Sequence, residues 1–424
     1  MRTLKALQSS SNILLAVSVL VILNSVTILP SLVHLHQIVP IINAQQELPI
    51  IPSITLTVCP QGPPACNFKK IQEAINAAPE TPPVRSWEKK PVIPLIKIAP
   101  GTYEENLVVL KNLWLQGAGR EQTTVVGGLE GLNGQRPTIF IAGSWPIAIG
   151  ITGLAITGKA EAIQIAGQIS GIISNNQIVA LGEKGRGGIW LKGALPYLVI
   201  SNNLIALGQT GIHLENVSPA TDEVKPGSLV PDPAYGVWVM GNEILEIRQR
   251  EWEPGWGTYP FSGHGITLHH ANGIAITFNR IHKNALSGIL VADAKNILVS
   301  ENTLAANGVG VWMTLLTNVG IKLLGNRIIT NDMGINVNSG WSIEIKSNTI
   351  SYNRSDGIST LRLSYPYPLI EILSLEDNLI EHNEGYGIDL DPQVVRLVTC
   401  KGNQISSNQK GDYSSEELRA KCGG

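Results

Sequence analysis

Three side chains able to move protons or hold an anion recur at one position of a repeated unit. Lys192, Glu215 and His269 each stand four residues after the glycine of a Gly-[Ile/Val]-x-apolar motif. A carboxylate between a lysine and a histidine is a general acid/base candidate, because a neighbouring charge shifts its pKa and a bordering loop excludes water. Glu215 would be the acid/base group, His213 and His269 its polar partners, and Lys192 the cation that holds an anionic ligand. A solvated polar face also produces such triplets, so the pattern fits a surface without chemistry equally well. Two histidines and a glutamate could in principle hold a metal ion, but no metal-specific spacing accompanies them, and neither a metal nor a cofactor is expected.

Beside this set the sequence changes character. Four of the twelve residues from 250 to 261 are aromatic (Trp252, Trp256, Tyr259 and Phe261), against 5% for the chain, and His264 follows at once. Trp190 and Trp312 stand two residues after motif glycines, the position that also holds His213. Rigid aromatic faces suit stacking on a ligand ring, or they pack a loop against the flank of the molecule.

Whether these residues meet depends on the elements that carry them. An Asn-x-[Ile/Leu] turn recurs at Asn176, Asn203, Asn242, Asn279, Asn302, Asn326, Asn348, Asn378 and Asn403. The glycine motif recurs at 188, 211, 265, 288, 310, 334, 357 and 387. Short β-branched runs with no room for crossover helices cannot build an ordinary parallel sheet. They can build a coil in which each unit of about 23 residues is one turn, strands pair with their equivalents about 4.8 Å away, and Ile, Val and Leu stack inward. Asn and Gly then fall at the corners, where a left-handed backbone is tolerated, and stacked Asn amides bond from turn to turn. In that register Lys192, Glu215 and His269 become vertical neighbours. The wide step from Gly211 to Gly265 holds two insertions, 215–236 and 246–262, both expected to border the same face.

The opening "CNFKKIQEAINAAPE" followed by "IKIAPGTYEENLVVLKNLWLQGAG" resembles right-handed parallel β-helix proteins of the pectin-lyase-like superfamily, in particular the pectinesterase-like start of the coil. The resemblance covers Thr55 to the C-terminus and implies an all-β solenoid of roughly ten coils. Phe68, Ile71, Ala74, Ile75 and Ala78 have helical spacing, which predicts an N-terminal capping helix with Asn67 near its cap; "SSEELRAKC" is expected to cover the other end. The resemblance further implies a polysaccharide ligand on the Gly-Ile face, with Lys192 meeting a carboxylated sugar and Trp190, Trp252, Trp256, Tyr259, His264 and Trp312 contacting the chain. As an enzyme it would be a lyase, hydrolase or epimerase. Family signatures are incomplete, however. "SGHGI" resembles the Gly-His-Gly of polygalacturonases, but their paired aspartates are missing, and "RIHK" from Arg280 belongs to an Asn turn. "YGIDLDP" resembles an alginate-epimerase stretch without its histidine, and would set Asp389 and Asp391 on one strand. A non-catalytic surface or periplasmic scaffold, of the kind seen in a nitrous oxide reductase maturation factor, is therefore the alternative.

Composition constrains the remainder. With a net charge of -2, the chain shows nothing that suits nucleic acid. Arg2 and Lys5 precede an apolar run from Ile13 to Leu23, which predicts a signal peptide over 1–44 and a secreted, periplasmic or cell-surface protein; an uncleaved membrane anchor is the alternative. The expected order is a lead with capping helix over 45–80, the coil over 81–410 and a cap over 411–424. Cys59, Cys66, Cys400 and Cys422 allow three pairings, of which the local one, tying down each end, is expected.

Overall fold

The structure is a computed structural model that describes residues 48–423, apart from 128–135, 182–186, 220–224, 226–228, 250–261, 316, 361–369 and 393. Its strands form two sheets, of 23 and 12 strands among the described residues, and every pairing is parallel. One turn illustrates the rest. A front strand, Ser287–Ala292, begins at the Gly-Ile motif; a side strand, Lys295–Ser300, follows; a short back strand, Thr303–Ala305, lies beyond the Asn turn. The next turn repeats the order at Val309–Thr314, Val319–Leu324 and Arg327–Ile329. The 12 back strands mark twelve turns, slightly more than the repeat count suggests.

Inward side chains stack by register: Ile266 on Ile289, Ile289 on Val311 and Val311 on Ile335, all fully buried. Each front-strand leucine, valine or methionine two residues later does the same, so one continuous apolar column fills the coil. All nine predicted asparagines form a single ladder. Asn302 is typical: its backbone N–H and Nδ2 both donate to Asn326 Oδ1 at 3.0 Å, and Nδ2 also donates to the Ile276 carbonyl. The left-handed residue is not the stacked asparagine but the one before it. Asn175, Asn202, Phe278, Glu301, Ser347 and Asp377 have φ of 52–57°, and Gly241, Gly325 and Gly402 take the same place. The bend turns the following asparagine inward, where its amide replaces the coil-to-coil bonds that the corner interrupts.

Both ends are tied. Helix α1, Ile71–Ala77, buries Ile71, Ala74 and Ile75 against the core. Asn67 does not cap it: Asn67 Oδ1 accepts from Thr57, and the Glu105 carboxylate accepts the first helical N–H groups, Ile71 at 2.8 Å and Gln72 at 3.0 Å. An acid from the coil thus meets the positive end of the helix. Helix α2, Glu416–Cys422, is capped by Ser415 Oγ and buries Leu418. Disulfides join Cys59 to Cys66 and Cys400 to Cys422, the local pairing.

The 215–236 insertion is placed differently from the expectation. Its described residues Leu229, Val230 and Tyr235 pack with Trp238, Val199 and Ala275 on the outer side of the side strands, and Trp238 Nε1 donates to the Asp232 carbonyl at 3.3 Å. It continues a second apolar layer begun by Trp87, Ile93 and Trp114. The reason is chemical: these side strands carry Val199, Trp238 and Ala275 outward, and such surface needs a cover. The insertion therefore does not border the Gly-Ile face through these residues.

Candidate functional site

The front strands carry two outward rows. Trp190, His213, Thr267, Leu290, Trp312 and Asn336 follow the motif glycine by two residues and pair in that order. Lys192, Glu215, His269 and Ala292 follow it by four and pair likewise. The second row holds the charge. Lys192 Nζ lies 3.9 Å from Glu215 Oε1, with the lysine half exposed and the glutamate 20% exposed. His269 occupies the next coil.

Two residues that the motif spacing missed complete the cluster. His270 follows His269 directly, and on a straight strand the two would face opposite ways. With φ of 51° at His270 the chain bends, and the two imidazoles lie 4.1 Å apart between centroids. Asp293, one coil on, has the same φ of 51°; its Oδ2 is 3.9 Å from His270 Nδ1, while Oδ1 accepts from Thr317 N and Oγ1 at 2.9 Å. The available signal was positional: each stands one residue beyond the charged row, at the corner into the side strand. Burial pushes the His269 pKa down, His270 pushes it further, and Glu215 and Asp293 pull it partly back. A lowered pKa keeps this imidazole uncharged at neutral pH, with a nitrogen able to accept a proton.

The first row is less open than its outward direction suggests. His213, Thr267, Leu290 and Asn336 are all at or below 3% exposure. The Trp190 ring meets His213 edge-on at 6.4 Å. His213 is thus a buried neighbour of Glu215 on its own strand, not a solvent-facing partner. His264 also departs from the expectation. It is fully buried at the start of its strand, five residues from His269, about 16 Å along an extended chain. Its Nδ1 lies 2.7 Å from Ser287 Oγ and accepts the Ser287 N–H at 3.3 Å, and its ring is 6.1 Å from that of Trp312. Trp252, Trp256 and Tyr259 lie outside the described residues.

Asp389 and Asp391 do not share a strand. The strand Tyr386–Asp389 ends first, and the Asp391 carbonyl accepts from Val394 and Val395 in the turn beyond. Arg280 and His282 sit on the back sheet, where both approach Glu243 Oε1, at 3.5 Å and 3.0 Å. No three His, Cys, Asp or Glu side chains among the described residues are grouped to hold a metal, and no described helix is long and apolar enough to cross a membrane.

A family model described as a right handed beta helix region matches residues 236–417. No curated protein sequence matches the chain. Solved structures similar to it include the Dettilon tailspike protein, at 16% identity and TM-score 0.49 over 79% of this chain and 64% of that one. The chain thus spans less than two thirds of the tailspike chain. A double mutant of the periplasmic alginate epimerase AlgG gives 15% and 0.45 over 79% and 83%, and the A-module of the Azotobacter vinelandii mannuronan C-5 epimerase AlgE4 gives 14% and 0.40 over 81% and 95%. The likeness is one of fold. The chain folds as a right-handed parallel β-helix.

Proposed function

We propose that this chain is an exported protein that binds a carboxylated polysaccharide over the charged row of its front strands and transfers protons there. The observation that carries the reading is the register of Lys192, Glu215 and His269 on three consecutive coils. Lys192, half exposed, meets the sugar carboxylate. Neutral His269 takes a proton from the carbon beside that carboxylate, and the lysine offsets the charge that develops. Glu215, the register neighbour of His269, then takes that proton over from the imidazolium and delivers it to the leaving oxygen, so that in the elimination one proton leaves carbon and arrives on oxygen. Hydrolysis is less well served, because it uses two carboxylates flanking one bond, and this row offers one carboxylate and an imidazole. Trp190 and the aromatic residues Trp252, Trp256 and Tyr259 are assigned to stacking. Export is supported by the basic-then-apolar leader and by the two local disulfides.

The test uses protein recovered from the secreted fraction, whose N-terminus should read from Gln45. It is incubated with polyuronides and with neutral glycans, and retention and new unsaturated ends are measured. Retention is expected on polyuronides alone and should weaken in Lys192→Ala, while Glu215→Gln should keep retention and abolish unsaturation. Equal retention on neutral glycans sinks the reading. Loss of binding in Trp256→Ala with no turnover in the parent protein would indicate a lectin-like module instead. The scaffold alternative draws on one observation, the burial of most of the first outward row, which leaves little open groove; indifference to every glycan would favour it.

A further inference from the structure

A recess lies at the opposite edge of the front strands from the charged row. It has a volume of ≈ 320 Å³, and its lining includes Leu286, Val309, Trp312 and Met333 with the polar Asp332 and Ser355. Register separates it from the charged cluster. Val309 and Met333 pair one residue ahead of their motif glycines, whereas Glu215 and His269 stand four residues after theirs. The two places are also coils apart.

Trp312 of this lining and Asn336, behind Met333, hold two buried polar atoms without a hydrogen-bond partner, Trp312 Nε1 and Asn336 Oδ1. Trp312 and Asn336 are register partners on adjacent strands, about 4.8 Å apart in backbone, and Asn336 is 1% exposed. Asn336 Nδ2 is already engaged, with Ser359 Oγ at 3.2 Å and Met333 Sδ at 3.2 Å. Met333, which lines the recess, is therefore also the group lying on Asn336. Buried donors and acceptors normally find partners, so a neighbouring donor and acceptor that both lack one, close to an apolar recess, describe the ligand that would suit them.

We infer that this recess takes the acetamido group of an N-acetylated amino sugar. The acetamido carbonyl accepts from the Trp312 indole N–H, its N–H donates to Asn336 Oδ1, and its methyl packs on Leu286, Val309 and Met333. A hydroxyl leaves the apolar wall unfilled. A carboxylate has no proton for Asn336 Oδ1 and is repelled by Asp332. Both polar atoms are buried in this structure; Met333 lies on Asn336, and binding requires it to change rotamer, which its unbranched thioether chain makes easy. The inference stands apart from the polyuronide reading, since it concerns other residues and another sugar class.

The test is a titration of ¹⁵N-labelled protein with N-acetylglucosamine, glucosamine and glucose, read at the indole N–H resonance that Trp312→Phe removes. N-acetylglucosamine should shift that resonance, and the other two sugars should not. Asn336→Leu should weaken binding about tenfold; the row tolerates leucine, since Leu290 occupies it two coils earlier, and the thermal midpoint checks the fold. An unmoved resonance, or an equal shift with glucose, overturns the inference, as does full affinity in a folded Asn336→Leu protein. Should that variant not fold, the three-sugar comparison on the parent protein decides alone. The probe is a single sugar and the readout local, so failure of polyuronide retention leaves this result interpretable, and the reverse holds too.

Discussion

At the scale of single residues, His269 is the group whose behaviour the geometry constrains most. Burial and the His270 ring both disfavour its proton, and Glu215 and Asp293 favour it less strongly. Its titration midpoint, followed by proton NMR, should lie below the ordinary 6.5. His270→Gln should raise it, and Glu215→Gln should lower it further. The sign for stability follows from linkage. The unfolded histidine binds its proton first as pH falls, so below about 6.5 the unfolded state gains protons that the folded state declines, and stability drops with falling pH. A midpoint at or above 6.5 would remove His269 as a neutral base. The residues of this cluster were only partly legible in the sequence. Lys192, Glu215 and His269 share a motif offset; His270 and Asp293 join them through left-handed corners, and a backbone angle leaves no mark on residue spacing.

At the scale of the repeated element, the asparagine ladder decides how rigidly the coils are aligned. Asn302 Oδ1 accepts two bonds from Asn279, and its Nδ2 donates to Asn326 Oδ1 and the Ile276 carbonyl. Asn302→Ala strands these groups in a dry interior and should cost about 3 kcal/mol in a denaturant titration. Asn403→Ala, at the ladder's last rung and partly exposed, should cost about 1 kcal/mol, because water replaces the lost partner. Equal costs would mean that the ladder does not act as a buried column. A second ladder runs beside the first, through Asn284, Asn307, Asn331, Asn353, Asn383 and Asn408. Its members stand five residues after members of the first, a spacing present in the sequence but hidden by the stronger motif. Lys283, Ala306, Thr330, Tyr352, His382 and Ser407, each just before one of these rungs, also have positive φ. Non-glycine residues pay about 1–2 kcal/mol in that region, and the rungs they orient offset it.

At the scale of the whole molecule, a solenoid has nearest-neighbour cohesion and two vulnerable ends. The Cys400–Cys422 bond closes a 22-residue separation around the last coil and α2, a closure worth about 3 kcal/mol by chain entropy. Replacing both cysteines by serine should speed amide exchange in the last coils and leave the central ones protected; a uniform rise across all coils would contradict local cohesion. The repeat, its inward column and the first ladder follow from the sequence alone, because each is a periodic property and identical units must stack in register; of the three cysteine pairings that the sequence allows, the structure holds the expected local one. Tertiary structure decided what the non-repeating residues do. Leu229, Val230 and Tyr235 of the 215–236 insertion lie on the side strands, where they cover Trp238 and its neighbours, and Glu105 displaced Asn67 at the first helix because it reaches two bare N–H groups at once. Burial of the first outward row was likewise invisible beforehand, since alternation along a strand fixes which way a side chain points and says nothing about what covers it.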